Sequence, residues 1–355
     1  MNSILHKAVF AGHLSVAFLL CFWFVPDVSA YETVFYRTDR NRSIPVKIDF
    51  PNRLQKSPVI LISHGIGSSI SGTSYLAEAW TARGFVCVSM QHPGSDENIW
   101  KGKIRILDEF KESYARNWSC RTRAEDIVFV LNRIEQLVQK DKRFAARMDM
   151  DRVGVAGIDL GALASLLVAG QVPPDKGKSL HDPRIKAVLA MSPPVRYTKT
   201  AFHEIYSPIT VPALFITGTE DDGIVGPTKA KDRRIPFDSM SHAPRYLITL
   251  EGAGHRIYGG RVFSAFDFGN DKYHDAIVRS SSRFWNAALR NDSAAIRAMN
   301  TFGWQSLVGL PAFVERRSPA ADTAMVTADT EPKTAAGIAP ETNTAAVSGT
   351  LTGNP

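Results

Sequence analysis

The strongest constraint on the fold of this chain is a repeated alternation. Short, wholly apolar runs such as Val59-Ile60-Leu61-Ile62 and Phe85-Val86-Cys87-Val88 are followed by stretches with helical spacing. A strand that is apolar on both sides has to be covered on both faces, which implies a mostly parallel sheet between layers of helices. The order reads as strand Val59–Ile62, helix Ser74–Arg83, strand Phe85–Met90, then a helix with Ile127, Leu131, Ile134 and Val138 on one face. Strand Val153–Ala156, helix Ala162–Ala169, and strands Ile185–Met191, Ala213–Thr217 and Tyr246–Leu250 follow, and helix Asp271–Leu289 closes the series. Ahead of them, Tyr31–Tyr36 and Ile44–Phe50 flank a polar turn, Arg37–Arg42, and read as an antiparallel hairpin.

The two ends differ from this pattern. Lys7, the apolar stretch Val16 to Val25 and the small residues Val28-Ser29-Ala30 make residues 1–30 a signal peptide cleaved after Ala30. Export to the periplasm or the medium is therefore expected. The apolar run is too short to span a bilayer comfortably, so no stable membrane span is expected. From Arg317 to Pro355 aromatics vanish and Ala, Thr, Pro and Gly dominate. Such a segment buries too little apolar surface to offset its ordering entropy and reads as a disordered tail. One α/β domain over 31–316 remains.

The net charge of +7 is dispersed over Arg121–Arg123, Lys140–Arg147 and Lys229–Arg234. A nucleic-acid binder concentrates charge on one element, so these runs read as solvated surface and no nucleic-acid partner is expected. Cys87 and Cys120 remain after cleavage, and Cys87 sits in an apolar strand, as a buried free thiol does. No metal-ligand spacing, phosphate loop or nucleotide fingerprint occurs, so neither metal nor cofactor is expected.

Parallel sheets present ligands at the carboxyl ends of their strands, and four such ends carry suggestive residues. Ser63-His64-Gly65-Ile66-Gly67 is a strand end running into a glycine loop. Val155-Ala156-Gly157-Ile158-Asp159-Leu160-Gly161 is a strand–turn–helix with small residues two before and two after Asp159. Thr217-Gly218-Thr219-Glu220-Asp221-Asp222 places acids beyond a strand, and Gly252-Ala253-Gly254-His255 frames a histidine. Elbow, acid and histidine follow one another in the chain order of a hydrolase triad.

With Gln91-His92-Pro93-Gly94-Ser95-Asp96 and Asp182-Pro183-Arg184-Ile185, these phrases make the chain resemble the α/β-hydrolase superfamily, and within it the platelet-activating-factor acetylhydrolase and dienelactone hydrolase-like branch. The resemblance implies an α/β-hydrolase fold and a small ester or lipid-like substrate; it names no protein partner. It implies Asp159 at the nucleophile position, Asp221 (or Asp222) as orienting acid and His255 as base. The backbone amides of Leu160 and of Ile66 or Gly67 would form the oxyanion hole.

Asp159 departs from that family, which has serine there. A carboxylate is a poor nucleophile towards an unactivated ester, so three readings stand. One is an esterase-class hydrolase with altered or residual chemistry. Another is a pseudo-hydrolase scaffold. The third is a hydrolase whose aspartate attacks saturated carbon, as in haloalkane dehalogenases and epoxide hydrolases of the superfamily. Against the third, Leu160 stands where those dehalogenases hold tryptophan. In addition, Ser192–Val211 is too short for a large cap.

Overall fold

A computed structural model describes residues 30–100, 106–117, 120–224, 226–259, 271–301 and 308–319. The leader and tail read from the sequence lie outside these residues, apart from Ala30 and 317–319. The elements in chain order are β1 (Ala30–Arg37), β2 (Arg42–Asp49), β3 (Ser57–Ser63), α1 (Ser74–Ala82), β4 (Val86–Met90), α2 (Ile106–Asn117), α3 (Arg121–Lys140), α4 (Lys142–Ala145) and β5 (Met148–Ile158). They continue as α5 (Leu160–Ala169), β6 (Ile185–Met191), α6 (Phe202–Tyr206), β7 (Ala213–Glu220), α7 (Ile235–Ser239), β8 (Arg245–Gly254), α8 (Asp271–Arg290), α9 (Ser293–Asn300) and β9 (Ala312–Arg317).

The strands form one nine-stranded sheet in the order β1-β2-β4-β3-β5-β6-β7-β8-β9. From β4 to β8 all neighbours are parallel, while β1 and β2 at one edge and β9 at the other run antiparallel to theirs. The class is α/β with a mostly parallel sheet. Successive side chains of a strand point to opposite faces, and the core divides accordingly. Val59, Leu61, Val153 and Val155 pack with Ile127, Leu131 and Leu166 on one face. Ile60, Ile62, Ala156 and Leu214 pack with Trp80, Phe284 and Trp285 on the other. The apolar runs of the sequence are these doubly covered strands.

Several elements escaped the sequence pattern. Helices α2, α6, α7 and α9 are short or polar. The edge strand β9 (Ala-Phe-Val-Glu-Arg-Arg) is held by register with β8, from Arg245↔Arg317 to Leu250↔Ala312, and by Arg234–Glu315 at 2.8 Å and Arg317–Asp238 at 2.9 Å. Arg317 therefore belongs to the sheet, not to the tail that was expected to begin there. The basic runs also need correction, because Arg123 and Arg233 are each 1% exposed. Cys87 and Cys120 are both buried, and no disulfide joins them. Among the described residues no helix is long and apolar enough to cross a membrane.

Gly154 in β5 shows how tightly α8 is seated. A Cβ there would lie 2.7 Å from the ring of Trp285, which is itself fully buried. Gly154→Ala is expected to cost about 1–3 kcal/mol through overpacking, read as a lower urea midpoint. An unchanged midpoint would mean that this face is loosely packed.

Candidate active site

Asp159 links β5 to α5 with φ 51° and ψ −121°. For a residue with a side chain this is strained backbone, worth about 1–3 kcal/mol, and it persists only where the surroundings dictate it. The surroundings are three backbones in contact. A Cβ on Gly157 would lie 2.1 Å from the Gly161 carbonyl oxygen, and one on Gly161 would lie 2.1 Å from the Ser63 oxygen and 2.7 Å from the His64 oxygen. The small residues two before and two after Asp159 are there because nothing larger fits. The Asp159 amide donates to Met191 O at 3.0 Å, and its carbonyl accepts from Leu163 N at 3.1 Å.

Asp221 and His255 meet beyond the ends of β7 and β8. His255 Nδ1 lies 2.9 Å from Asp221 Oδ1, which leaves Nε2 on the opposite ring edge. Asp221 is fully buried and its carboxylate is saturated with donors. Oδ1 also accepts from Ser192 Oγ at 2.9 Å and lies 3.1 Å from Arg233 Nε, while Oδ2 accepts from Thr217 Oγ1 at 2.9 Å. Asp222 is exposed and turned to Lys229 and the Ala230 amide. The acid beside the histidine is thus Asp221 rather than Asp222.

Asp159 and His255 line one small cleft with Tyr114, Ile224, Thr228 and Arg233. Burial, and next the charge of Asp159, raise the Tyr114 phenol so that it stays protonated. Of the proposed oxyanion donors, the Ile66 amide faces Asp159 and donates to its Oδ2 in a long hydrogen bond of 3.4 Å. Leu160 is the first residue of α5, so its amide projects from the helix N-terminus. Gly67 is not such a donor: its amide is taken by Ser95 O at 2.9 Å.

Sequence patterns missed Tyr114, Ile224 and Thr228 on the cleft wall, and they missed two buried polar residues that support the acid–histidine pair, Ser192 and Arg233. Ser192, at φ 51°, ends β6 and holds its hydroxyl 2.9 Å from both Asp221 Oδ1 and His255 Nδ1. Its place at a strand's carboxyl end was the available signal. Arg233 donates to Asp221 O at 2.6 Å and Ser192 O at 2.7 Å, and its Nη2 lies 3.3 Å from His255 Nδ1. Nothing in a run of surface-like cations marked it.

Behind the elbow is a second polar cluster. Ser63 meets a histidine, but it is His92 and not His255, with Ser63 Oγ to His92 Nε2 at 2.9 Å and His92 Nδ1 to Asp126 Oδ2 at 3.2 Å. All three are fully buried, out of reach of a substrate. Among the described residues no group of His, Cys, Asp and Glu is arranged to hold a metal ion. No protein-family model matches the chain, and no curated protein matches it. Its chemistry has to be read from geometry.

Two stability differences follow. Asp221→Ala strands the buried Arg233 guanidinium and is expected to cost about 3–5 kcal/mol, whereas Asp222→Ala removes exposed contacts and costs far less. Equal shifts in chemical unfolding would contradict the assignment. Burial, with the charge of Arg123 adding to it, outweighs Asp126 and lowers His92 from 6.5 to about 4. Between these values the unfolded chain takes up a proton that the folded chain refuses. His92 should therefore contribute a loss of about 3 kcal/mol of stability as pH drops from 6.5 to 4, and His64, which burial also holds well below its ordinary value, adds a loss of the same sign. Urea titrations across that range would check this, and His92→Gln should lessen the slope without abolishing it.

Proposed function

We propose that the chain is an exported α/β-hydrolase-fold hydrolase with Asp159 as nucleophile, Asp221 and His255 as the acid–base pair, and electrophilic saturated carbon as its target. The strand order and the run elbow, acid, histidine support the hydrolase class. One observation carries the choice of chemistry: the Ile66 amide, which in a serine esterase would receive the substrate's carbonyl oxygen, already holds Asp159 Oδ2 at 3.4 Å. A substrate ester would have to displace a carboxylate from that place and then accept attack by a weak nucleophile. An alkylating substrate needs no such displacement.

Asp159 Oδ1 attacks the carbon, the leaving group departs with its electron pair, and an alkyl ester forms on Asp159. Tyr114, which lines the cleft and keeps its phenol proton, would donate to the leaving atom. His255 Nε2 then takes a proton from water, and the hydroxide attacks the ester carbonyl. Charge develops on Oδ2, where the Ile66 and Leu160 amides stabilise it. Collapse releases the alcohol, which recovers the proton from His255, and the proton left on the Asp159 carboxyl replaces the one Tyr114 gave up or passes to solvent, restoring the carboxylate. Asp221 holds the imidazole tautomer throughout.

In this scheme the oxygen that leaves with the product comes from Asp159, and the water oxygen stays on the protein. Multiple turnovers of an epoxide or a haloalkane in ¹⁸O-water should therefore label the Asp159 peptide, and Asp159→Asn should abolish turnover. Hydrolysis of p-nitrophenyl acetate should be weak and should rise about a hundred- to a thousandfold in Asp159→Ser, where the misplaced charge is gone from the oxyanion position. Robust ester hydrolysis that survives Asp159→Ala would refute the reading.

A further inference from the structure

Arg123 is expensive where it stands. It occupies the first turn of α3, where the helix dipole favours anions over cations, and it follows Cys120, a non-glycine residue held at φ 52°. It is 1% exposed, and burying a charge without a charged partner is costly. Yet among the described residues no carboxylate lies within ion-pair distance of it. Its donors go to neutral groups: Nη1 to His64 O at 2.6 Å, Nη2 to Ser95 O at 3.1 Å and Nε to Ser95 Oγ at 3.0 Å.

Those acceptors define the purpose. Ser95 O is also the acceptor of the Gly67 amide, and His64 O is the carbonyl against which Gly161 packs. One rigid, planar fork thus grips the His64 end of the segment His64-Gly65-Ile66-Gly67 directly and its Gly67 end through Ser95. His64 reinforces the grip from the other side: its Nδ1 donates to Gly65 O at 2.6 Å and its Nε2 accepts from His92 N at 3.1 Å. Within this segment the Ile66 amide donates to Asp159 Oδ2 and the Gly67 amide to Ser95 O.

We propose that Arg123 is a positioning residue for the Asp159 site, aiming the Ile66 amide at Asp159 Oδ2 by clamping the carbonyls of His64 and Ser95. The proposal rests on the Asp159 reading for its kinetic consequence. In ester formation Asp159 loses negative charge, so a donor at Oδ2 does not help that step. In ester hydrolysis charge returns to Oδ2, and the donor is needed. A loosened Ile66 amide should slow the second step selectively and leave the alkyl-enzyme to accumulate. A general loss of structure would slow both.

The test compares wild type with Arg123→Met and Arg123→Lys, in two arms. Without substrate, amide hydrogen exchange is followed in the 63–68 peptide. With an epoxide or haloalkane, quench mass spectrometry follows the Asp159 adduct. Arg123→Met should raise exchange in 63–68, slow adduct decay roughly ten- to a hundredfold, as expected for a misplacement of about 1 Å, and leave adduct formation within about twofold. Arg123→Lys keeps the charge without the fork, is the variant less prone to unfold, and should fall between the two. If exchange in 63–68 is unchanged in both variants, or if formation and decay slow together, the proposal is overturned. If wild type forms no adduct, the Asp159 reading fails, and the exchange arm alone decides whether Arg123 positions the loop.

Discussion

The approach of three backbones at the end of β5 is the constraint on which the site depends. Gly157, Gly161 and the Ser63–His64 carbonyls touch without side chains between them. The chain can reverse from strand to helix there only if Asp159 takes φ 51°. That conformation lifts the side chain of Asp159 out of the sheet, towards the Ile66 amide. Everything the site does follows from the side chain at that one forced position.

Around it, two buried guanidinium groups stabilise two loops. Arg233 binds the carbonyls of Asp221 and Ser192 and the acid's own carboxylate, so the Asp221–His255 pair rests on a cation. Arg123 binds the carbonyls of His64 and Ser95 and holds the opposite wall. Each supplies several N–H donors to buried loop carbonyls, where a hydrogen bond lost to burial is costly. Carboxylates and cations are thereby interleaved around the cleft in which Asp159 sits beside Tyr114 and His255.

Much of this was legible in the amino-acid sequence. The doubly covered strands β3 to β8 announce themselves as apolar runs, because a strand with helices on both faces has no polar side. The glycines flanking Asp159 announce the elbow, because only glycine allows the contacts at 2.1 Å. Chain order placed Asp221 and His255 after it. The edge strand β9 was not legible: an antiparallel edge exposes half its residues, and Glu315, Arg316 and Arg317 look like loop or tail until Arg245, Arg234 and Asp238 pair with them.

The sequence by itself determined the α/β layering, the position of the elbow and the kinds of group that meet there, since periodicity and close-packed glycines are local properties of the chain. Tertiary structure decided the rest. Asp221 and Asp222 are neighbours in sequence, yet burial beside His255 singles out the first. Ile66 and Gly67 both offered amides, and Ser95 takes the second. Arg121 and Arg123 read alike in one basic run. One forms a half-exposed pair with Asp175, and the other is enclosed beneath the loop His64–Gly67. Which member of each pair is buried depends on what packs over it from distant parts of the chain, and no local pattern of residues encodes that.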